Sequence, residues 1–154
     1  TVGQYWGKTT PEGTHAEEAA HFVARGGALI MSAADVAYLD MKYSDDFPLG
    51  LTWAGVIDVR TAYDWEPTDV LDVPDSAIIG VEAPLWSETT RTISDVERLV
   101  FPRAAAQAEI AWSPQTAPER TWESFRTRLA TLAPLWETAD IDFHRAEEIP
   151  WTDR

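Results

Sequence analysis

The 154-residue chain has no cysteine, which excludes disulfides and thiolate chemistry, and only three histidines, His15, His21 and His144, remain as imidazole ligands. His15 and His21 stand six apart on an expected helix, which is not a metal-binding spacing. Basic residues are scarce: 12 Lys and Arg against 26 Asp and Glu give a formal net charge of −14. Phosphates would be repelled by such a surface, which argues against nucleic acid or an anionic membrane as partner. No apolar run approaches the ~20 residues needed to span a bilayer. The opening residues, Thr1 to Trp6, show neither the basic start nor the apolar stretch of a signal peptide. A soluble chain is expected, cytoplasmic or secreted, with no sign of which. Gly-rich phosphate loops, a Ser/His/Asp order and metal-ligand clusters are also missing, so neither cofactor nor metal is expected.

What is present is globular in composition, with 45% hydrophobic and 25% charged residues, enough for one domain with a real core. Eight tryptophans is a high count, and Trp is costly to expose unless it packs or binds something. The chain does not begin with methionine and opens directly in a β-rich segment, so it is expected to be a piece of something longer.

Residues 2–6 read as the end of a buried strand, followed by a loop at 7–13. Residues 15–25 read as a helix, with Glu17 and Glu18 in the first turn and Gly26-Gly27 as its stop. The wholly apolar run at 28–32 predicts a strand buried on both faces, completing a βαβ unit. From 33 to 77 prolines break the pattern, leaving one short helix at 56–63; so long and aromatic a connection is expected to be ordered and functional. Residues 78–83 form a third buried strand, with 84–88 the loop leaving its C-terminal end. Ser94 as N-cap and Glu97 at N3 predict a capping box, after which Pro102 kinks or restarts a helix reaching Trp112. The last clear helix is expected over 121–136, and the helical spacing of Trp112, Trp122 and Trp136 assigns all three to the core.

Buried strands alternating with helices, with the unusual residues in the loops after the strands, is the layout of an α/β barrel or open parallel sheet, where chemistry sits at strand C-termini. Three strands cannot close an eight-stranded barrel, so the sequence reads as the last part of one. The loop clusters are Tyr5-Trp6, Tyr38-Leu-Asp-Met41, Trp53 and Leu85-Trp-Ser-Glu88. Flat aromatics beside carboxylates or hydroxyls suit a sugar, whose C–H face stacks on a ring while Asp and Glu accept from its hydroxyls. Glu82 is read as a buried structural partner rather than a site residue. From spacing alone Asp40 and Glu88 also fit the two carboxyl groups that glycoside hydrolysis normally needs, though hydroxyl recognition suits them equally.

At these clusters the chain resembles the C-terminal part of the catalytic barrel of glycoside hydrolase family 20, the β-N-acetylhexosaminidases. The matching stretches are Gln4-Tyr-Trp-Gly7, residues 26–32 leading into Ala37-Tyr-Leu-Asp-Met-Lys-Tyr43, Tyr63-Asp-Trp-Glu-Pro67, Ile79-Gly-Val-Glu-Ala-Pro-Leu-Trp-Ser-Glu88, Phe101-Pro-Arg-Ala-Ala-Ala-Gln-Ala-Glu-Ile-Ala-Trp-Ser-Pro114, and residues 122–129. Each is weak alone; the ordered set is specific. The resemblance implies an α/β fold: about the last three βα units of a TIM (β/α)8 barrel in residues 1–136, plus C-terminal helices, with 137–154 an extension packing on the barrel.

It further implies retaining, substrate-assisted hydrolysis of terminal β-linked GlcNAc or GalNAc. The substrate's 2-acetamido carbonyl attacks the anomeric carbon while an Asp-Glu pair, on an earlier strand, protonates the leaving oxygen and orients the acetamido group. No Asp-Glu dipeptide occurs in this chain, so alone it is expected to be inactive. Trp6 and Trp86 resemble walls of the acetamido pocket, Tyr38 the hydroxyl that steadies the acetamido oxygen, Trp53 the aromatic at the pocket mouth. Asp40 and Glu88 resemble binders of sugar hydroxyls, displacing their spacing-based reading as the catalytic pair. The implied partners are N-acetylglucosamine- or N-acetylgalactosamine-containing glycans and the missing N-terminal part of the same enzyme. The alternatives are a non-catalytic N-acetylhexosamine-binding fragment and a purely structural α/β domain.

Overall fold

A computed structural model describes residues 1–152. Three short strands, β1 (Val2–Tyr5), β2 (Ala28–Met31) and β3 (Ile78–Val81), form a parallel sheet in sequence order. Helix α1 (His15–Ala24) crosses between β1 and β2. It ends as expected at Gly26, whose φ of +85° lets its N–H reach Val23 O while Gly27 N–H reaches Phe22 O. Between β2 and β3 lie α2 (Ala34–Ala37), α3 (Val59–Tyr63) and two 3₁₀ turns, Pro67–Asp69 and Asp75–Ala77. After β3 come α4 (Ile93–Val100), α5 (Arg103–Trp112), α6 (Trp122–Ala130) and α7 (Ala133–Thr138). Among the described residues no helix is long and apolar enough to cross a membrane.

The strands differ from the expectation of two-sided burial. Tyr5, Leu29 and Met31 are buried under Ala16, Ala19, Phe22 and Val23 of α1, while Val2 and Gln4, alternating to the other side, are exposed. At β3 a register shift leaves Ile79 56% exposed. Among the described residues, then, only one face of the sheet is fully covered, although the β2 and β3 sequences are apolar throughout. The larger core lies beyond the sheet, where Tyr43, Phe47, Ile57, Val59, Tyr63, Leu99, Phe125, Leu129 and Trp136 pack together. Phe143, Ala146, Ile149 and Trp151 join this core, so the tail shares the packing of the helices; residues 153 and 154 of the expected extension lie outside the described residues.

Three local expectations are corrected. The capping box uses Thr92 and Asp95, two residues earlier than Ser94 and Glu97: Thr92 Oγ1 accepts from Asp95 N–H, and the Asp95 carboxylate accepts from Thr92 N–H. Both pairs fit the sequence pattern, but Ser94 and Glu97 instead hold the tail, through Ser94 Oγ to Asp142 and Asp142 N–H to Glu97. The helix expected over 121–136 is two helices, because Pro134 has no N–H to give and its ring would clash with the carbonyl of Ala130. Trp112 is 88% exposed rather than core, since the buried positions of α5 are Arg103, Ala106, Gln107 and Ile110, a stripe that residue 112 misses. Trp136 is buried and Trp122 half-buried against Tyr63 and Phe125, as their spacing suggests.

Candidate active site

The carboxyl ends of the three strands bring the expected residues to one place. Trp6 follows β1 directly and Trp86 lies in the loop after β3; their rings meet edge to face with centroids 6.1 Å apart. Tyr38, at the end of α2, touches both Trp86 (6.2 Å) and Trp53 (5.8 Å, nearly perpendicular). The three indoles are exposed on the surface, whereas the Tyr38 side chain is buried behind them. Four aromatics from four separate segments therefore form one continuous wall.

Two hydrogen bonds, one between backbones and one from a backbone N–H to a side-chain hydroxyl, hold the loops together. Leu39 N–H donates to Pro84 O at 2.8 Å, and Gly50 N–H donates to Thr89 Oγ1 at 3.0 Å, so the segment carrying Tyr38 and Asp40 is fastened on both sides of Trp86 and Glu88. A single parallel bridge, Met41 to Leu51, folds the long connection back on itself, with Leu51 N–H donating to Asp40 O. Gly50 makes this possible: its φ is +92°, and a Cβ there would lie 2.6 Å from the carbonyl oxygen of Asp40.

Asp40 is the most constrained polar group of the cluster. It is 2% exposed, and neither carboxylate oxygen has a hydrogen-bond partner. Burial raises its pKa and the charge of Glu88 adds to this; the nearby N–H groups of Asp40 and Trp86 oppose it without reaching hydrogen-bond geometry, as does Arg103. A buried, unpaired carboxylate costs stability unless something else satisfies it. Glu88 is exposed, two residues past Trp86. The Tyr38 hydroxyl has its pKa raised, first by burial and further by Asp40 and Glu82, so it stays a protonated donor.

Glu82, read as a possible buried partner, is exposed but does have a structural bond: Ser32 Oγ donates to it at 2.9 Å, and Gln4 Nε2 approaches Ser32 Oγ at 3.5 Å. This polar ladder across the ends of all three strands was not legible beforehand, because its members are 28 and 50 residues apart. Thr89 and Gly50 were also missed; neither type announces a long-range hydrogen bond. Among the described residues no three His, Asp or Glu side chains converge as metal ligands. A groove of about 400 Å³ runs beside the cluster between β1 and α1, lined by Gln4, Tyr5, His15, Glu18 and Phe22, and shares only Trp6 with the aromatic wall.

A wall of indoles around a buried acid and phenol, at the carboxyl ends of parallel strands, occupies the position of active sites in α/β enzymes. Comparison with known proteins gives the family. The model for "glycosyl hydrolase family 20, catalytic domain" matches residues 1–115. A β-N-acetylhexosaminidase of Cellulomonas fimi is 41% identical over 98% of the chain, which spans 29% of that protein. Among solved structures, a mutant Streptomyces plicatus β-hexosaminidase in complex with its product GlcNAc superposes with a TM-score of 0.92 at 44% identity, covering 98% of this chain and 30% of that one. A family 20 β-N-acetylglucosaminidase gives 0.93 at 51% identity, with 99% and 33% covered. The chain belongs to glycoside hydrolase family 20 and spans about 30% of the length of these relatives.

Proposed function

We propose that these residues form the C-terminal side of the active site of a retaining exo-β-N-acetylhexosaminidase that releases terminal β-linked GlcNAc or GalNAc. The observation that carries this reading is the convergence of Trp6, Tyr38, Trp53 and Trp86 beside the unpaired, buried Asp40. In it, Trp6 and Trp86 wall the acetamido group and Trp53 stacks at the pocket mouth. Asp40 and Glu88 accept hydrogen bonds from sugar hydroxyls, which supplies the partners that the Asp40 carboxylate lacks in the free chain.

Tyr38 donates to the acetamido oxygen and steadies it for attack on the anomeric carbon. The glycosidic bond breaks as an oxazolinium-type ring forms, and water then opens that ring with retention. A preorganised donor aimed at this developing charge is the largest contribution the chain makes to catalysis. The acid that protonates the leaving oxygen, and the aspartate paired with it, come from outside these 154 residues, which contain no Asp-Glu dipeptide. Residues 1–136 then correspond to about the last three βα units of a (β/α)8 barrel and 137–154 to an extension packed on it. Among the described residues, the unpaired outer edges of β1 and β3 and the uncovered face of Val2 and Gln4 support that placement, since a closed barrel would pair and cover them.

The test is hydrolysis of a chromogenic β-N-acetylglucosaminide, together with the intact masses of every polypeptide in the sample. The 154-residue chain alone is expected to be inert. The complete protein is expected to be active, and Tyr38→Phe in it to lower kcat by roughly 10²–10³ without loss of fold. Activity of the short chain alone, or full activity of the Tyr38→Phe protein, overturns the reading.

A further inference from the structure

The stretch from Phe101 to Pro114 carries much of the family resemblance, yet none of its side chains joins the aromatic wall. Its third residue, Arg103, is 0% exposed at the first position of α5. Among the described residues no carboxylate forms an ion pair with it. Its guanidinium lies on the ring of Tyr43, 3.8 Å from the centroid, and both terminal nitrogens are taken up by backbone carbonyls, while the buried Nε makes no hydrogen bond. One terminal nitrogen donates to Met41 O (2.8 Å) and Ile57 O (3.0 Å), the other to Leu39 O (2.5 Å) and Leu99 O (3.0 Å).

Three of these four carbonyls belong to one loop, and two of them flank Asp40. Leu39 and Met41 offer their carbonyls to Arg103, while the carbonyl of Asp40, pointing the other way, accepts from Leu51 N–H. The backbone on either side of the unpaired carboxylate is thereby pinned from both directions. One turn along α5, Gln107 repeats the device at the loop's two ends, donating to Val36 O and Ala62 O, both at 2.8 Å. A cation buried with no carboxylate in ion-pair contact, only the more distant charges of Asp40 and Asp58, is a costly way to fill a core, where an apolar side chain of similar size would serve better. Its return is a planar fork that reaches several carbonyls at once, which a lysine ammonium cannot do from a single point.

Resting on the reading of the pocket as a sugar site, we propose that Arg103 is a positioning residue for substrate recognition, holding residues 39–57 in the arrangement that presents Asp40 and Tyr38 to the sugar. If the arginine were purely structural, its replacement by lysine, which keeps the charge that acts on Asp40, would lower stability throughout and cost the same whether residue 40 is Asp or Asn. The test is a double-mutant cycle of Arg103→Lys and Asp40→Asn in the complete enzyme, with kcat and KM measured on a chromogenic β-N-acetylglucosaminide and backbone amide exchange followed in the same proteins.

Arg103→Lys is expected to lower kcat/KM by about tenfold or more in the native background but by about twofold or less beside Asp40→Asn. Its faster exchange is expected within residues 38–57 and not in α6. An equal loss in both backgrounds, or exchange rising uniformly, overturns the proposal. Should Arg103→Lys fail to fold, Tyr43→Leu, which frees the guanidinium from its ring without removing it, enters the same cycle with the same deciding outcomes. If Asp40→Asn alone leaves kcat/KM unchanged, it is the sugar-site reading that fails, and this inference with it.

Discussion

Burying the Asp40 carboxylate with no hydrogen bond made to it costs the free chain stability, and its raised pKa expresses the same penalty. Because the folded pKa lies above the unfolded one, the penalty is present at neutral pH and is relieved as the pH falls through the folded value. Asp40→Asn is therefore expected to stabilise the chain at pH 7 by on the order of 1 kcal/mol while weakening binding of N-acetylglucosamine. The gain should shrink in acid; thermal melts at several pH values, paired with a binding titration, check this. Tyr38 and Asp40 were legible in the sequence as an aromatic beside an acid. That one acid would be buried and the other, Glu88, exposed was not legible, because burial is set by the Leu39–Pro84 and Gly50–Thr89 ties between distant loops.

At the scale of elements, capping and packing separate side chains that look alike on paper. Thr92→Ala removes the N-cap of α4 and is expected to cost about 1 kcal/mol. Ser94→Ala, which loses only an exposed bond to Asp142, should stay within about 0.5 kcal/mol; denaturant melts of the two variants decide between the two registers. The tryptophans divide the same way. Trp136, ringed by Phe101, Phe143 and Trp151, should cost about 3–5 kcal/mol when truncated to Ala. Trp112→Ser in this chain should be nearly neutral, because its ring is exposed. Helical period located α1 and most of α5 correctly, but period alone could not say which stripe faces inward, nor that Pro134 would split the last helix.

For the whole molecule, the acidic surplus leaves its few buried cations conspicuous, and His144 is placed among them. Its ring lies against Tyr43 (4.3 Å) and Phe47 (4.8 Å), and burial, then Arg103 and Arg98, push its pKa down to about 4. Above about pH 6.5 the ring is neutral folded or unfolded. As the pH falls from there towards 4, the unfolded chain takes up a proton that the folded chain refuses, so stability declines across that window. A His144→Gln variant should lose this part of the decline, read as a shallower fall of Tm with pH. The same scale shows why the strands read as buried on both faces: the β2 and β3 runs are apolar throughout, yet among the described residues only one side of the sheet is fully packed.

The sequence by itself determined the local and chemical alphabet: parallel strand–helix order from apolar runs and glycine stops, the aromatic and acidic loop residues, and the family, through motifs kept in order. Those signals are local, or depend on residue type, and need no folded chain to be read. The tertiary structure alone decided which carboxylate is buried, which capping box is used, which tryptophan faces solvent, and that a buried arginine at the start of α5 secures the backbone around Asp40. Each of these depends on contacts between segments tens of residues apart, whose closeness is a property of packing and leaves no periodic trace in the chain.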